Sequence, residues 1–169
     1  MSLRRMVLPF VALPLAACAS RPPAEFPMSG EAGALARLAG EWAGSYSSPM
    51  LGRSGSIVLT FGEGQARGDV VMVPPGQTRP VSPATRQGQP PGAPPPGPES
   101  AVLTIEFARA AGDSIVGTMA PYQDPDCQCT VQATFTGHLA GDAISGTFVS
   151  TRMAGDQRVR GTWEVRRRR

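Results

Sequence analysis

Three times in its last third the chain writes the same short phrase. Gly112-Asp-Ser-Ile-Val-Gly-Thr-Met119 and Gly141-Asp-Ala-Ile-Ser-Gly-Thr-Phe148 match closely, and the stretch from Gly155 to Trp163 repeats them with one residue added. Each phrase opens on Gly-Asp, a pair that accepts the positive φ of a tight hairpin turn. Each then alternates apolar and polar residues, as a strand with one buried face does. A glycine interrupts every one of these strands, and interior glycines mark places where a sheet bends or coils on itself. Bent strands joined by tight turns constrain this chain to an antiparallel, strongly coiled sheet.

Read at period two, the whole chain yields eight strands, over residues 41–47, 56–61, 68–73, 101–108, 114–120, 127–139, 143–150 and 158–166. Residues 32–39 alone read as helical, a short piece with Leu35 and Leu38 on one side and Gly40 as its stop. Eight coiled strands in a meander are the count of a small up-and-down barrel, so the expected fold is all-β. Strand facing says which kind of barrel. Val159, Gly161, Trp163 and Val165 alternate with Arg158, Arg160, Thr162, Glu164 and Arg166, giving one apolar and one polar face. A barrel crossing an outer membrane needs an apolar exterior with aromatic girdles, and this chain has only six Phe, two Trp and two Tyr. An apolar interior and a wet exterior are expected.

The N-terminus addresses location. Arg4 and Arg5 precede an apolar run from Met6 to Ala17, which is too short to span a bilayer at about 20 residues and is broken by Pro9 and Pro14. A charged start, a short apolar run and a small-residue site constitute an export signal over residues 1–17. Leu15-Ala16-Ala17-Cys18 resembles the lipobox of bacterial lipoproteins, in which cleavage leaves the cysteine N-terminal and acylated, with palmitate among the chains. The resemblance implies a membrane anchor at Cys18, and Ala19 in place of aspartate implies the outer membrane, facing the periplasm or the cell surface. Residues 18–30, with three prolines in 21–30, read as an extended lipidated tether.

Residues 31–166 are then one domain, interrupted by a segment that does not belong to a core. Residues 74–98 hold ten of the 18 prolines and read as a disordered, polyproline-like loop. The pI near 9.1 does not indicate nucleic acid. Without Arg4, Arg5 and the run 166–169, ten of the 16 basic residues remain against 13 acidic ones. The basicity is terminal, and residues 167–169 read as a solvated tail.

Gly40-Glu41-Trp42 opens the first strand directly after the short helix, and the chain closes on an arginine-bearing strand. This layout resembles the calycins, the lipocalin-like and avidin-like barrels. In that superfamily a Gly-x-Trp tryptophan closes the barrel floor and an arginine of the last strand packs across it. The resemblance implies a structural role for Trp42 and offers Arg160 or Arg166 as its partner.

Candidate chemistry is sparse. His138 is the single histidine and falls on a polar strand face. There is no Gly-x-Ser-x-Gly elbow, His-Glu-x-x-His or phosphate loop, so no catalytic residue is assigned and an enzyme is not expected. Cys127 and Cys129 follow Asp124-Pro-Asp. A local disulfide, a reduced or intermolecular pair, and a weak metal site are the alternatives there, since an exported chain meets oxidising conditions and acylated Cys18 cannot pair. In a continuous strand their Cα atoms stand about 6.6 Å apart, at the edge of disulfide geometry. Leu59, Phe61, Ile105, Phe107, Met119, Phe135 and Phe148, with Ile57 and Leu103, face inward and line a cavity if one is left open. The expectation is a non-enzymatic, lipid-anchored envelope protein holding a small apolar ligand, without cofactor or nucleic acid. The alternative is a filled barrel serving as a structural module or as a docking module for an envelope protein.

Overall fold

A computed structural model of the chain describes residues 23–62, 65–73, 100–125 and 127–169. The signal segment, Cys18 and the proline-rich residues 74–98 lie outside the described residues. The eight strands read from periodicity are all present: β2 (Gly40–Ser48), β3 (Arg53–Phe61), β4 (Gln65–Val73), β5 (Ala101–Ala111), β6 (Ser114–Met119), β8 (Cys129–Ala140), β9 (Ala143–Arg152) and β10 (Arg158–Arg167). Each pairs antiparallel with its sequence neighbour, β6 pairs with β8, and β10 closes the ring by pairing with β2, Trp163 opposite Tyr46. The protein is a closed, all-β barrel, with one short α-helix among the described residues, α1 (Ala32–Leu38).

Two strands are additional. β1 (Glu25–Gly30) enters the ring between β4 and β5, antiparallel to the first and parallel to the second, so nine strands rather than eight close the barrel. This corrects the tether reading for residues 25–30. Pro27 biases the chain there toward extended backbone between Phe26 and Met28, and those two side chains are buried in the core. β4 and β5 pair directly only over 69–72 and 101–104, and β1 fills the gap where they diverge. β7 (Tyr122–Asp124) continues the line of β6 past Ala120 and Pro121, pairing with the start of β8.

The core is the barrel interior. Trp42, Ile144 and Val165 have no exposed surface, and most large apolar side chains of the strands point inward, with Val58, Val102 and Val116 facing out. β5 holds a register shift between Ile105 and Phe107, after which Ala108 and Ala110 take the inward positions. The side chain of Phe107 lies outside what the structure describes. The strand glycines make room for rings as well as bends. A Cβ at Gly161 would stand 2.3 Å from the Phe148 ring, and one at Gly137 would stand 2.4 Å from Trp163. The rings so seated form edge-on pairs, Tyr46 with Phe148 at 5.7 Å and Phe135 with Trp163 at 5.9 Å. The turn glycines Gly112 and Gly141 adopt φ of 54° and 60°, as Gly-Asp hairpins require.

The two ends of the barrel differ. One carries α1, β1 and the Gly112-Asp113 and Gly141-Asp142 turns. At the other lie a 3₁₀ turn at Pro49–Leu51, the turn at 125–128, the bend at 153–157, and the ends of β4 and β5.

Candidate functional site

The first end is sealed around Trp42. Its indole is fully buried, and Nε1–H donates to the carbonyl of Leu38 at 2.7 Å, tying the floor to α1. Arg167 lies across the ring with its guanidinium carbon 4.3 Å from the centroid. The same guanidinium donates to the carbonyls of Ala39 and, at 2.6 Å, Arg37, and its Nε–H reaches Asp142 at 3.1 Å. Cation–π contacts contribute about 0.5–2 kcal/mol depending on exposure, and here the cation also caps the carbonyls at the C-terminal end of a helix. The arginine over Trp42 is therefore Arg167, neither Arg160 nor Arg166. Inward parity runs Val159, Gly161, Trp163, Val165, Arg167, whereas Arg160 and Arg166 are exposed on the outer face. Arg167 also belongs to β10 rather than to a solvated tail, which moves the end of the domain past residue 166. Arg37 of α1 forms a second latch, an ion pair to Asp113 and a hydrogen bond to the carbonyl of Gly112 at 2.6 Å.

Above the floor the barrel interior holds a cavity of about 80 Å³. Leu59, Phe61, Ile105, Met119, Phe135 and Phe148 line it, together with Ile57 and Leu103, so every described member of the inward set meets there. Trp163 also lines it and donates from Nε1–H to the carbonyl of Thr136 at 3.0 Å; Trp42 lies below it.

The upper boundary of this chamber is polar. Arg53, the first residue of β3, and Asp124, the last of β7, form a bidentate pair with both N–O distances 2.6 Å. Both are buried, Arg53 to 4% exposure. Such a fork is geometrically specific, and removing either member strands a buried charge at a cost of about 3–5 kcal/mol. Tyr46, Tyr122 and Ser150 complete the boundary. Burial pushes the Tyr46 phenol well above its usual range, reinforced by Tyr122, and burial likewise raises Tyr122, against a hydrogen bond with Ser150. The Tyr46 hydroxyl is the one buried side-chain polar atom without a hydrogen bond among the described residues.

Beyond this boundary lies a second cavity of about 230 Å³, open at the mouth of the barrel. Leu51, Arg53, Tyr122 and Ser150 line both spaces and so form the partition between them. Cys127, Arg152 and Gln157 face only the outer one. Cys127 and Cys129 are joined by a disulfide with Cα atoms 5.1 Å apart. The 6.6 Å of an extended strand does not apply, because β8 begins at Cys129 and not at Cys127, and Gln128 between them turns through a φ of 50°. Among the described residues no cluster of His, Cys, Asp or Glu is placed to hold a metal ion. His138 stands exposed on the outer face of β8.

Four polar members of this site escape a reading by periodicity. Arg53 lies outside a third strand begun at Ser56, yet it shares the inward parity of Ile57, Leu59 and Phe61. Tyr122 and Asp124 sit in a three-residue strand that is too short to show alternation. Arg152 continues the inward series Ile144, Phe148, Ser150 by one step past the expected strand end. Extending each strand by its parity is the signal that finds Arg53 and Arg152. Comparison with known proteins finds no matching family model, no matching curated protein and no matching solved structure.

Proposed function

We propose that the chain is a non-enzymatic, lipid-anchored envelope protein of calycin type whose barrel takes up a small apolar molecule, or the apolar end of a larger one. The observation that carries this reading is the apolar chamber of about 80 Å³ above a sealed floor and below an open mouth. The Trp42–Arg167 stack supports the calycin likeness, and the lipobox-like Leu15-Ala16-Ala17-Cys18 supports anchoring. The two serines near the partition are each hydrogen-bonded, and the Tyr46 hydroxyl is the polar group left over. Ser48 donates to the carbonyl of Arg160 at 3.0 Å, Ser150 bonds Tyr122, and the single histidine is outside the barrel. A serine without an adjacent base is a poor nucleophile, which supports a binding role over a hydrolytic one.

Size favours a second reading, in which the barrel is a filled scaffold for an envelope partner. Drug-sized ligands occupy roughly 300–1,000 Å³, and even a cavity that holds benzene measures about 150 Å³. Native mass spectrometry of protein purified from its own membrane separates the two. An adduct of constant mass is expected on the wild type and should be lost in Ala133→Leu, which fills the chamber from β8 where Ala133 is buried against it. A wild type free of adduct, with no thermal stabilisation by C4–C8 alcohols, selects the scaffold reading.

A further inference from the structure

The Cys127–Cys129 disulfide contributes little as a cross-link. A disulfide stabilises a fold chiefly by restricting the unfolded chain, and the effect grows with the loop closed, whereas these partners stand two residues apart. Both ends are also held without it. Cys129 opens β8 opposite Asp124 of β7, and the Cys127 N–H donates to the Asp124 carboxylate at 3.5 Å. That carboxylate is fixed in turn by its fork with Arg53. A broken S–S bond would therefore leave two thiols side by side on a standing frame, ready to close again. Closure holds Gln128 at a φ of 50°, a region that residues other than glycine, asparagine and aspartate enter at a cost, and opening lifts that constraint.

The surroundings favour exchange. Both cysteines are half-buried, and Cys127 lines the outer cavity of about 230 Å³ at the mouth. Arg53, Asp124 and Arg152 line the same cavity, and because Asp124 is paired with Arg53, Arg152 is the excess positive charge among these three. Such a charge attracts an incoming thiolate and favours the thiolate form of a cysteine beside it. We propose that Cys127–Cys129 is a redox-active disulfide, the two-electron acceptor for a dithiol that reaches it through the mouth of the barrel. A thiolate of the donor enters the cavity and attacks Sγ of Cys127; the S–S bond breaks and its electron pair leaves on Sγ of Cys129. The donor's second thiol, as thiolate, then attacks the donor sulfur of the mixed disulfide and expels Cys127 as a thiolate toward the arginine charge. The donor departs as a disulfide, and its two protons pass to Cys127 and Cys129, which are left as thiols. None of these steps uses the apolar chamber, so the proposal is independent of the ligand-binding reading.

The test uses the full-length Cys18→Ser protein, whose remaining cysteines are Cys127 and Cys129. It is incubated with dithiothreitol, a neutral dithiol, at pH 7, quenched with N-ethylmaleimide, and its thiols are counted by mass, once folded and once unfolded in urea. The folded protein should open at least as fast as the unfolded chain, in which the same disulfide is fully accessible but has lost the cavity. Once reduced, it should keep its melting temperature within about 5 °C and close again with oxidised dithiothreitol. Arg152→Gln should slow opening about threefold, the scale of one half-exposed charge, and Arg152→Lys should stay near the parent rate. Slower opening in the folded state than in urea, or loss of the fold on reduction, overturns the proposal and makes the disulfide a protected structural bond. An unchanged rate in Arg152→Gln overturns attack from the cavity. The comparison of folded with unfolded protein needs no further variant, so it decides even if Arg152→Gln proves unstable.

Discussion

Tyr46 shows how much depends on one atom. Its ring is seated over Gly55, where a Cβ would come within 2.5 Å, and its hydroxyl ends in the chamber without a hydrogen bond. An unsatisfied buried hydroxyl costs about 1–3 kcal/mol, so Tyr46→Phe should leave the ligand-free protein as stable as before or more stable by about 1 kcal/mol in urea unfolding at pH 7. A loss of more than about 1 kcal/mol would mean that the hydroxyl is satisfied in solution. Alkaline titration gives a second check. Tyr46 and Tyr122 are the only tyrosines, the chain has no lysine, and both phenols are raised by burial. Above about pH 10 the unfolded phenols have ionised while the folded ones stay neutral, so the unfolded state binds fewer protons and stability falls as pH rises. The slope is at most about 1.4 kcal/mol per pH unit for each tyrosine, and Tyr46→Phe should make it shallower.

At the scale of elements, β1 separates a pattern that can be read locally from one that cannot. Residues 21–30 contain prolines and only two large apolar side chains, a composition shared with linkers. What makes 25–30 a strand is the divergence of β4 and β5, which leaves two edges that Glu25–Gly30 pairs with on both sides. That gap is a property of the closed ring and has no trace in the segment itself. Removing residues 1–30 should therefore cost stability although the domain as read from periodicity begins at residue 31. Phe26 and Met28 contribute about 1.5–3 kcal/mol each by burial, so a chain beginning at Glu31 should lose at least about 3 kcal/mol in denaturant unfolding relative to one beginning at Pro23. Equal stabilities would show that β1 does not contribute to the barrel in solution. β10 is the opposite case. Its parity is visible to the last residue, and following it one step further leads from Val165 to Arg167 and the floor.

The molecule as a whole is a barrel with unlike ends, sealed by Trp42, Arg167 and α1 at one and open past Arg53 and Asp124 at the other. The outer face of β10 shows Arg158, Arg160, Thr162, Glu164 and Arg166 to solvent, the reverse of the apolar belt of a membrane-spanning barrel. Membrane association is on this reading a matter of the lipid on Cys18. Metabolic labelling with a palmitate analogue should mark the wild type and not Cys18→Ser, because Cys127 and Cys129 are consumed in their disulfide. Equal labelling of both would remove the anchor from the proposal.

What the amino-acid order determined by itself was whatever depends on neighbours along one strand: the eight long strands, their inward and outward faces, the Gly-Asp turns, and the apolar set that meets in the chamber. Alternation and turn chemistry are local, and burial of one face leaves them little freedom. Closure decided the rest. The pairing of β10 with β2 brings Arg167 across Trp42, and the ring's circumference opens the gap that β1 fills. Arg53 and Asp124 meet across 71 residues of sequence because the β3 and β7 ends share a rim. None of these contacts carries a local signature, since each joins residues whose own segments are satisfied without it, and only the circular arrangement of strands sets the distance between them.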